Sequence, residues 1–460
     1  MKSISRVLIA NRGEIAVRII KACRELDIET VLAVSEVDRE SMPAQMADRC
    51  VCIGPAPPSK SYLKVETIVT AAIGTGADAI HPGYGFLAEQ PILPEACEKC
   101  GLIFIGPSAD TIRRMGDKLL ARQVAADIGI PLIPGSDRIA DYREAMTTAE
   151  KLGYPVLLKA SAGGGGKGMK IVTRAEALKT AFDEASAEAR SAFGDERLYM
   201  EHFIPNARHI EVQILGDSFG NAVHLFERDC SIQRRYQKMI EEAPSPAVNN
   251  DLRKEICSAA IKIIQHLQYK NAGTVEFILD QDRCQFYFLE MNTRIQVEHP
   301  VTEMVTGVDL VKEQFRISAG FPIGFAQEEV KLTGHAIECR INAESPHLAF
   351  QPSPGRITYW DVPAHPDIRL DTHCYSGYFV SPYYDSLLGK LIAVCDNRIL
   401  AIERLRIILD QMRVEGINTT IPFYQYVLEL PEYCNGDVNT RWVENKLIKE
   451  FERYGKNSLC

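Results

Sequence analysis

The chain has 460 residues, 46% hydrophobic and 25% charged, the balance of a folded globular protein of about three domains, which excludes fibrous or largely disordered structure. Lys and Arg number 52 against 61 Asp and Glu, and a net charge of −9 leaves no global positive field for a nucleic-acid backbone. No stretch approaches the ~18–20 apolar residues that cross a bilayer, so neither nucleic acid nor membrane is an expected partner, and the chain is expected in the cytoplasm.

The 13 cysteines are odd in number and scattered, the usage of reduced thiols and not of a disulfide framework. The single CxxC, Cys97 to Cys100, has no second pair at zinc spacing and reads as structural.

The opening residues predict a βαβ unit. Residues 7–10 and 31–34 are short β-branched runs, and Ile15, Ile19, Ala22 and Leu26 recur at helical spacing between them. The pattern continues through 77–83 and 101–106, which makes roughly the first 110 residues an open α/β domain. Its first turn, Asn11-Arg12-Gly13-Glu14, has one glycine where a dinucleotide fingerprint needs three, and an NAD or FAD enzyme loses its support there.

A second segment, 117–320, reads as α+β, with an alanine-rich helix at 175–192 and apolar runs around 198, 210, 222 and 274. Between strands it carries five glycines in six positions, Gly163 to Gly166 and Gly168, interrupted by Lys167. Without Cβ atoms such a loop can aim several N–H groups at phosphate oxygens. It is not a Walker loop, because Gly168 follows Lys167 where Ser or Thr should stand. Lys159 alternates with Leu157 on what reads as a core-directed face, where an ammonium must find an anion or shift its pKa. Lys118, at a helix start, is a second candidate phosphate ligand.

The densest constellation is TVEFILDQDRCQFYFLEMNTRIQVEHP, 274–300. A hairpin centred on Asp282 and Arg283 pairs positions whose numbers sum to about 566, so Glu276 faces Glu290 and Asn292 follows on the same face. Facing acids among apolar neighbours need a counterion, and magnesium takes carboxylate and amide oxygens together with phosphate oxygens. Arg294, Gln296 and Glu298 continue at spacing two, predicting one side of an extended chain able to hold a small planar anion and offer it a base. Gln233, Lys238, Glu241 and Glu242 lie in a polar stretch expected to line the same cleft. The last segment, 334–444, reads as short strands plus a helix near 400–412. There Arg340 and Asp385 receive no role from residue type alone. No repeat or low-complexity linker appears, and the three parts are expected to pack as one body.

ANRGEIAVRI (10–19), HPGYGFLAE (81–89), MGDK (115–118), KASAGGGGKGM (159–169), ERDCSIQRR (227–235), EMNTRIQVEHPVTE (290–303), GHAIECRINAE (334–344) and YYDSLLGK (383–390) together resemble the biotin carboxylases of the ATP-grasp superfamily. The resemblance covers nearly the whole chain. It implies an N-terminal open parallel-sheet (pre-ATP-grasp) domain over 1–114 and an ATP-grasp domain over 115–330 with a mobile glycine-rich lid over roughly 133–204. A C-terminal biotin carboxylase domain over 331–446 and a tail over 447–460 would follow.

By the same resemblance, ATP and bicarbonate would carboxylate N1′ of carrier-bound biotin through carboxyphosphate. Lys118 and Lys159 would bind phosphates under the loop that includes Gly165 and Gly166, and Glu201, His209, Gln233 and Tyr236 would line the nucleotide pocket. Glu276, Glu290 and Asn292 would hold two Mg2+ or Mn2+ ions. Lys238, Arg294, Gln296 and Val297 would bind bicarbonate, with Glu298 as its base. Arg340 would stabilise the biotin enolate, and Tyr84 would contact the ureido ring. Tyr236 stands where many members have histidine, Thr440 where some have isoleucine near the adenine, and Lys167 where others have arginine.

No Ala-Met-Lys-Met type turn for attaching biotin is present outside Gly168-Met169-Lys170-Ile171, which abuts the phosphate loop. Biotin is therefore expected on a separate biotin carboxyl carrier protein. A carboxyltransferase subunit is the further partner the resemblance implies, and a homodimer the assembly. The acceptor the resemblance favours is acetyl-CoA, in fatty acid biosynthesis, with pyruvate or 2-oxoglutarate as alternatives. An ATP-grasp carboxylate–amine ligase is the rival reaction, and a catalytically silent scaffold the rival class.

Overall fold

The structure, a computed structural model, describes residues 4–136, 138–161 and 168–457. The N-terminal strands β1 (Arg6–Ile9), β2 (Glu29–Ser35), β3 (Arg49–Gly54), β4 (Ala79–His81) and β5 (Ile103–Phe104) form a parallel sheet in the order β3-β2-β1-β4-β5. The order reverses between β1 and β4, where an open α/β sheet leaves a crevice at its carboxyl edge. The turns after those two strands meet there, and Asn11 Nδ2 donates to the carbonyls of Pro82 and Tyr84, each at 2.7 Å. Helix α1 (Gly13–Glu25) buries Ile15, Ile19 and Ala22 in a core shared with Leu310, Val311 and Phe315. The N-terminal unit is thereby fused to the middle of the chain by apolar packing.

Strands β6 (Val156–Ala160), β7 (Lys170–Val172) and β8 (Leu198–His202) make a separate antiparallel sheet, with the helix Leu178–Phe193 against it and a small core of Val156, Leu158, Val172, Leu178 and Met200. This corrects the expected orientation of β6. Val156 and Leu158 point into the core, whereas Leu157 and Lys159 occupy the other face, because alternation fixes which residues share a side and not which side is covered.

The largest sheet contains β9 (Ala207–Gly216), β10 (Ala222–Arg234), β11 (Gln237–Ala243), β12 (Asn271–Asp280), β13 (Gln285–Asn292) and β14 (His335–Asn342), then the strands Leu387–Cys395 and Ile368–Thr372. Its order is β13-β12-β9-β10-β11-β14, followed by Leu387–Cys395 and Ile368–Thr372, with every neighbouring pair antiparallel. Reading the last segment as short strands missed this continuity: β14 pairs with β11, so the sheet runs from the middle of the chain into its final segment. The helix Arg398–Gln411 closes the far side through Ala401, Leu405 and Leu409. Among the described residues no helix is long and apolar enough to cross a membrane.

Candidate active site

The floor of the main cleft is built from alternation on β9. Ile210, Val212 and Ile214 enter the core, while His209, Glu211 and Gln213 share the opposite face. Glu211 lies beside Glu276 of β12 on one side and Arg228 of β10 on the other. The β12–β13 hairpin pairs Glu276 with Glu290 and Thr274 with Asn292, and a bulge after Glu276 shifts the remaining pairs by one.

Cations hold these facing acids. Lys118 lies 3.1 Å from Glu290, and Glu276 receives His209 at 3.1 Å, Lys238 at 3.0 Å and the Asn292 amide at 2.7 Å. Burial works against charge on Glu276, but Lys238 and His209 outweigh it and keep the carboxyl below its usual range. Burial also opposes the His209 imidazolium, yet Glu276 lifts it to about 9.

Glu298 is fully buried between two cations, with Lys238 Nζ 2.6 Å from one carboxylate oxygen and Arg340 Nη2 donating to the other at 2.9 Å. Burial penalises its charge, but Lys238, Arg340 and Arg228 together outweigh the penalty and hold the carboxyl below the usual range. Arg294 donates to Glu89 at 2.9 Å and to the Gln296 side-chain oxygen at 2.9 Å, and the Gln296 amide donates to Glu276 at 3.2 Å. Arg340 Nε lies 2.7 Å from Glu241, whose carboxyl burial raises to about 7 despite that neighbour.

One cleft of ≈ 930 Å³ gathers Tyr84, Lys118, Lys159, His209, Gln233, Tyr236, Lys238, Glu276, Glu290, Asn292, Arg294, Gln296, Val297, Glu298 and Arg340, with Asp385 at its rim. Lys159 is buried against Glu201, which also pairs with Arg122, and desolvation lowers the Lys159 pKa. Glu201 lies behind Lys159 and does not itself line the cleft. Tyr236 sits in the left-handed region at φ +63 in the turn between β10 and β11 and is 37% exposed. Thr440 is outside the lining set, its amide donating to the Ala207 carbonyl at 2.9 Å. Gly165, Gly166 and Lys167 lie outside the described residues.

Two expectations are corrected. Residues 294–298 are not an extended strand: β13 ends at Asn292, and Glu298 stands just before the helix His299–Thr306 without a side-chain bond to it, with Pro300 in its first turn. The three side chains converge because the loop curls. Neither Glu241 nor Glu242 lines the cleft: Glu241 is fully buried against Arg340, and Glu242, its neighbour on β11, must face the other side, where it meets His335 at 2.7 Å and Arg398 at 2.7 Å.

Family comparisons match this geometry across the chain. Residues 3–112 match the family model "Biotin carboxylase, N-terminal domain", 117–325 "Carbamoyl-phosphate synthase L chain, ATP binding domain", and 338–445 "Biotin carboxylase C-terminal domain". Biotin carboxylase 1 of Bacillus subtilis is 50% identical over 442 residues, covering 96% of this chain and 98% of that one. The chain belongs to the biotin carboxylase family.

A pyruvate carboxylase subunit from Methanothermobacter thermautotrophicus is 47% identical over 96% of this chain and 89% of its own. The Hydrogenobacter thermophilus 2-oxoglutarate carboxylase biotin carboxylase domain dimer, solved with MgADP, ADP and bicarbonate, superposes with a TM-score of 0.94 at 46% identity, covering 97% of this chain and 98% of that one. The enzyme is thus a biotin carboxylase, the subunit type that serves biotin-dependent carboxylases with different acceptors.

In this biotin carboxylase, sequence reasoning missed Glu211, Arg228, Glu89 and Arg122. Glu211 and Arg228 pair at 2.6 Å, both fully buried. The signal for Glu211 was present in RHIEVQIL, where polar and apolar residues alternate on a strand carrying His209. Arg122 and Glu89 show no such signal, because only long-range packing brings them to their partners.

Proposed function

We propose that the cleft carboxylates carrier-bound biotin with bicarbonate and ATP. The observation that supports this best is Glu298: a fully buried carboxylate gripped by Lys238 and Arg340 beside two facing acids.

Glu276, Glu290 and Asn292 offer only oxygen donors on one hairpin face, a hard set that fits two Mg2+ or Mn2+ ions. When bound, these ions would neutralise phosphoryl oxygens of ATP. Lys118 and Lys159 would bind the phosphates, and the loop with Gly165 and Gly166 would close over them as part of a lid at about 133–204. His209, Gln233 and Tyr236 would line the nucleotide pocket with Glu201 behind them.

Arg294, Gln296, Val297 and Lys238 would hold bicarbonate. Glu298 is kept charged by Lys238 and so is ready to accept the bicarbonate proton. The freed nucleophile would attack the γ-phosphoryl group, expelling ADP and giving carboxyphosphate, whose breakdown to CO2 and phosphate would leave the phosphate to take the N1′ proton. Once Glu298 is neutral, Arg340 loses one of its two acidic partners and can turn to the developing biotin enolate beside Tyr84.

Biotin would arrive on a carrier protein, and a carboxyltransferase subunit would take the product. We propose a cytoplasmic homodimer serving acetyl-CoA carboxylation and fatty acid synthesis. Relatives that include a pyruvate carboxylase subunit and a 2-oxoglutarate carboxylase domain make pyruvate and 2-oxoglutarate the alternative acceptors. Purified chain should cleave ATP only when bicarbonate and free biotin are both added, and turnover that ignores biotin refutes the reaction. The carboxyltransferase that co-purifies, assayed with acetyl-CoA, pyruvate and 2-oxoglutarate, tests the acceptor.

A further inference from the structure

Two motifs behind the family resemblance, 10–19 and 383–390, supply no side chain to the proposed reaction, yet the first buries Arg12, Glu14 and Arg18 and the second buries Lys390. Lys390, on the strand Leu387–Cys395, stands opposite Arg340 and has no exposed surface. Its Nζ donates to the Val297 carbonyl at 2.8 Å, lies 3.2 Å from a Glu14 carboxylate oxygen and 3.9 Å from Asp371. Glu14, in the first turn of α1, accepts a hydrogen bond from the Tyr84 hydroxyl.

An ammonium has protons to donate and no acceptor, and buried it must find partners for them. Lys390 finds them on the loop before the helix His299–Thr306 and on the first helix, with the Asp371 charge of the edge strand Ile368–Thr372 nearby. Holding the Val297 carbonyl fixes the peptide that joins Val297 to Glu298, and Gln296 is the residue just before it. At the other end of the bridge, Glu14 fixes the Tyr84 ring through its hydroxyl, while Asn11 grips the backbone of the same turn.

We propose that Lys390 and Glu14 are positioning residues, a buried bridge that sets the loop carrying Gln296 and Glu298 against the wall carrying Tyr84, so that activated bicarbonate and the biotin ring meet at a fixed separation. The inference rests on the proposed carboxylation.

Steady-state kinetics of the full chain, with ATP, bicarbonate and free biotin varied separately, test it. Misplacing a reacting group by ~1 Å from a distance costs about 10²-fold, so Lys390→Met should lower kcat about 100-fold and raise the bicarbonate KM about tenfold, with the ATP KM within about twofold. Lys390→Arg, which keeps the donor, should recover part of both losses. Glu14→Gln should raise the biotin KM and leave the bicarbonate KM unchanged. If the buried carboxylate left by Lys390→Met prevents folding, the double variant Lys390→Met/Glu14→Gln removes both charges, and a bicarbonate KM still raised in it supports the bridge. Wild-type kinetics per folded molecule in Lys390→Met or the double variant overturn it, as does an equal loss for all three substrates. A wild-type chain that ignores bicarbonate and biotin sinks the reaction itself, and that assay precedes any variant.

Discussion

Glu241 and Glu242 are neighbours on β11, both buried, and they titrate in opposite directions. Glu241 pairs with Glu338 on the Arg340 side of the sheet, buried off the cleft lining; Arg340 Nε stands 2.7 Å from Glu241, and Glu338 finds no hydrogen-bond donor among the described residues. Burial raises Glu241 to about 7 and Glu338 well above the usual range. Glu242 faces the helix Arg398–Gln411, where His335 and Arg398 overcome burial and hold it at about 2. One side of the sheet carries charge that its neighbours leave under-compensated, and the other carries charge fully matched and surrounded by apolar packing. Such imbalance is found where a protein handles reacting charge, so each face should respond to substitution with a different observable.

The largest expected effect is on the cleft side. Glu298→Gln should reduce biotin-dependent ATP cleavage by about 10³-fold while the melting temperature holds, read by steady-state assay beside thermal unfolding. Intact turnover in that variant would erase the distinction between the faces. On the other side, Ile337→Ala should destabilise by about 2–5 kcal/mol and leave every KM unchanged, because Ile337 belongs to the core shared with Leu405 and Leu409.

The paired acids sharpen the contrast through pH. Glu242 titrates near 2 instead of 4.5, so its stabilisation is present above pH 4.5 and is lost as pH falls toward 2. Glu242→Gln should remove that acid-side dependence, on the order of 2 kcal/mol, as seen in melting temperature against pH. Glu241 titrates near 7, so the folded state holds its proton more tightly, and stability is lost as pH rises from 4.5 through 7. Glu241→Gln should be the more stable protein at pH 8, on the order of 1 kcal/mol, the smallest effect and the opposite sign.

Much of the site was legible because it is local. The hairpin register follows from two alternating runs and a short turn, and it brings Glu276, Glu290 and Asn292 together with no knowledge of the rest of the chain. The βαβ opening was legible for the same reason. Residues 294–298 misled because spacing of two is equally the mark of a strand and of a loop that curls, and Pro300 with Glu298 at a helix start was the better clue. The facing of Leu157 and Lys159 depends on which side of β6 the helix Leu178–Phe193 covers. Lys390 was out of reach, since its partners Val297, Glu14 and Asp371 are drawn from parts of the chain far apart in sequence.

The eight-stranded sheet joins the acid hairpin at one end to the strands of Arg340 and Lys390 toward the other through consecutively paired strands, with bulges in several of the pairings. The spacing between the place where phosphate chemistry starts and the place where biotin is met is therefore ruled by backbone hydrogen bonds of nearly constant length. The three strands β6 to β8 stand outside that ladder as a sheet of their own. A domain graft could replace them to alter nucleotide choice while the ruler between the two chemistries keeps its length.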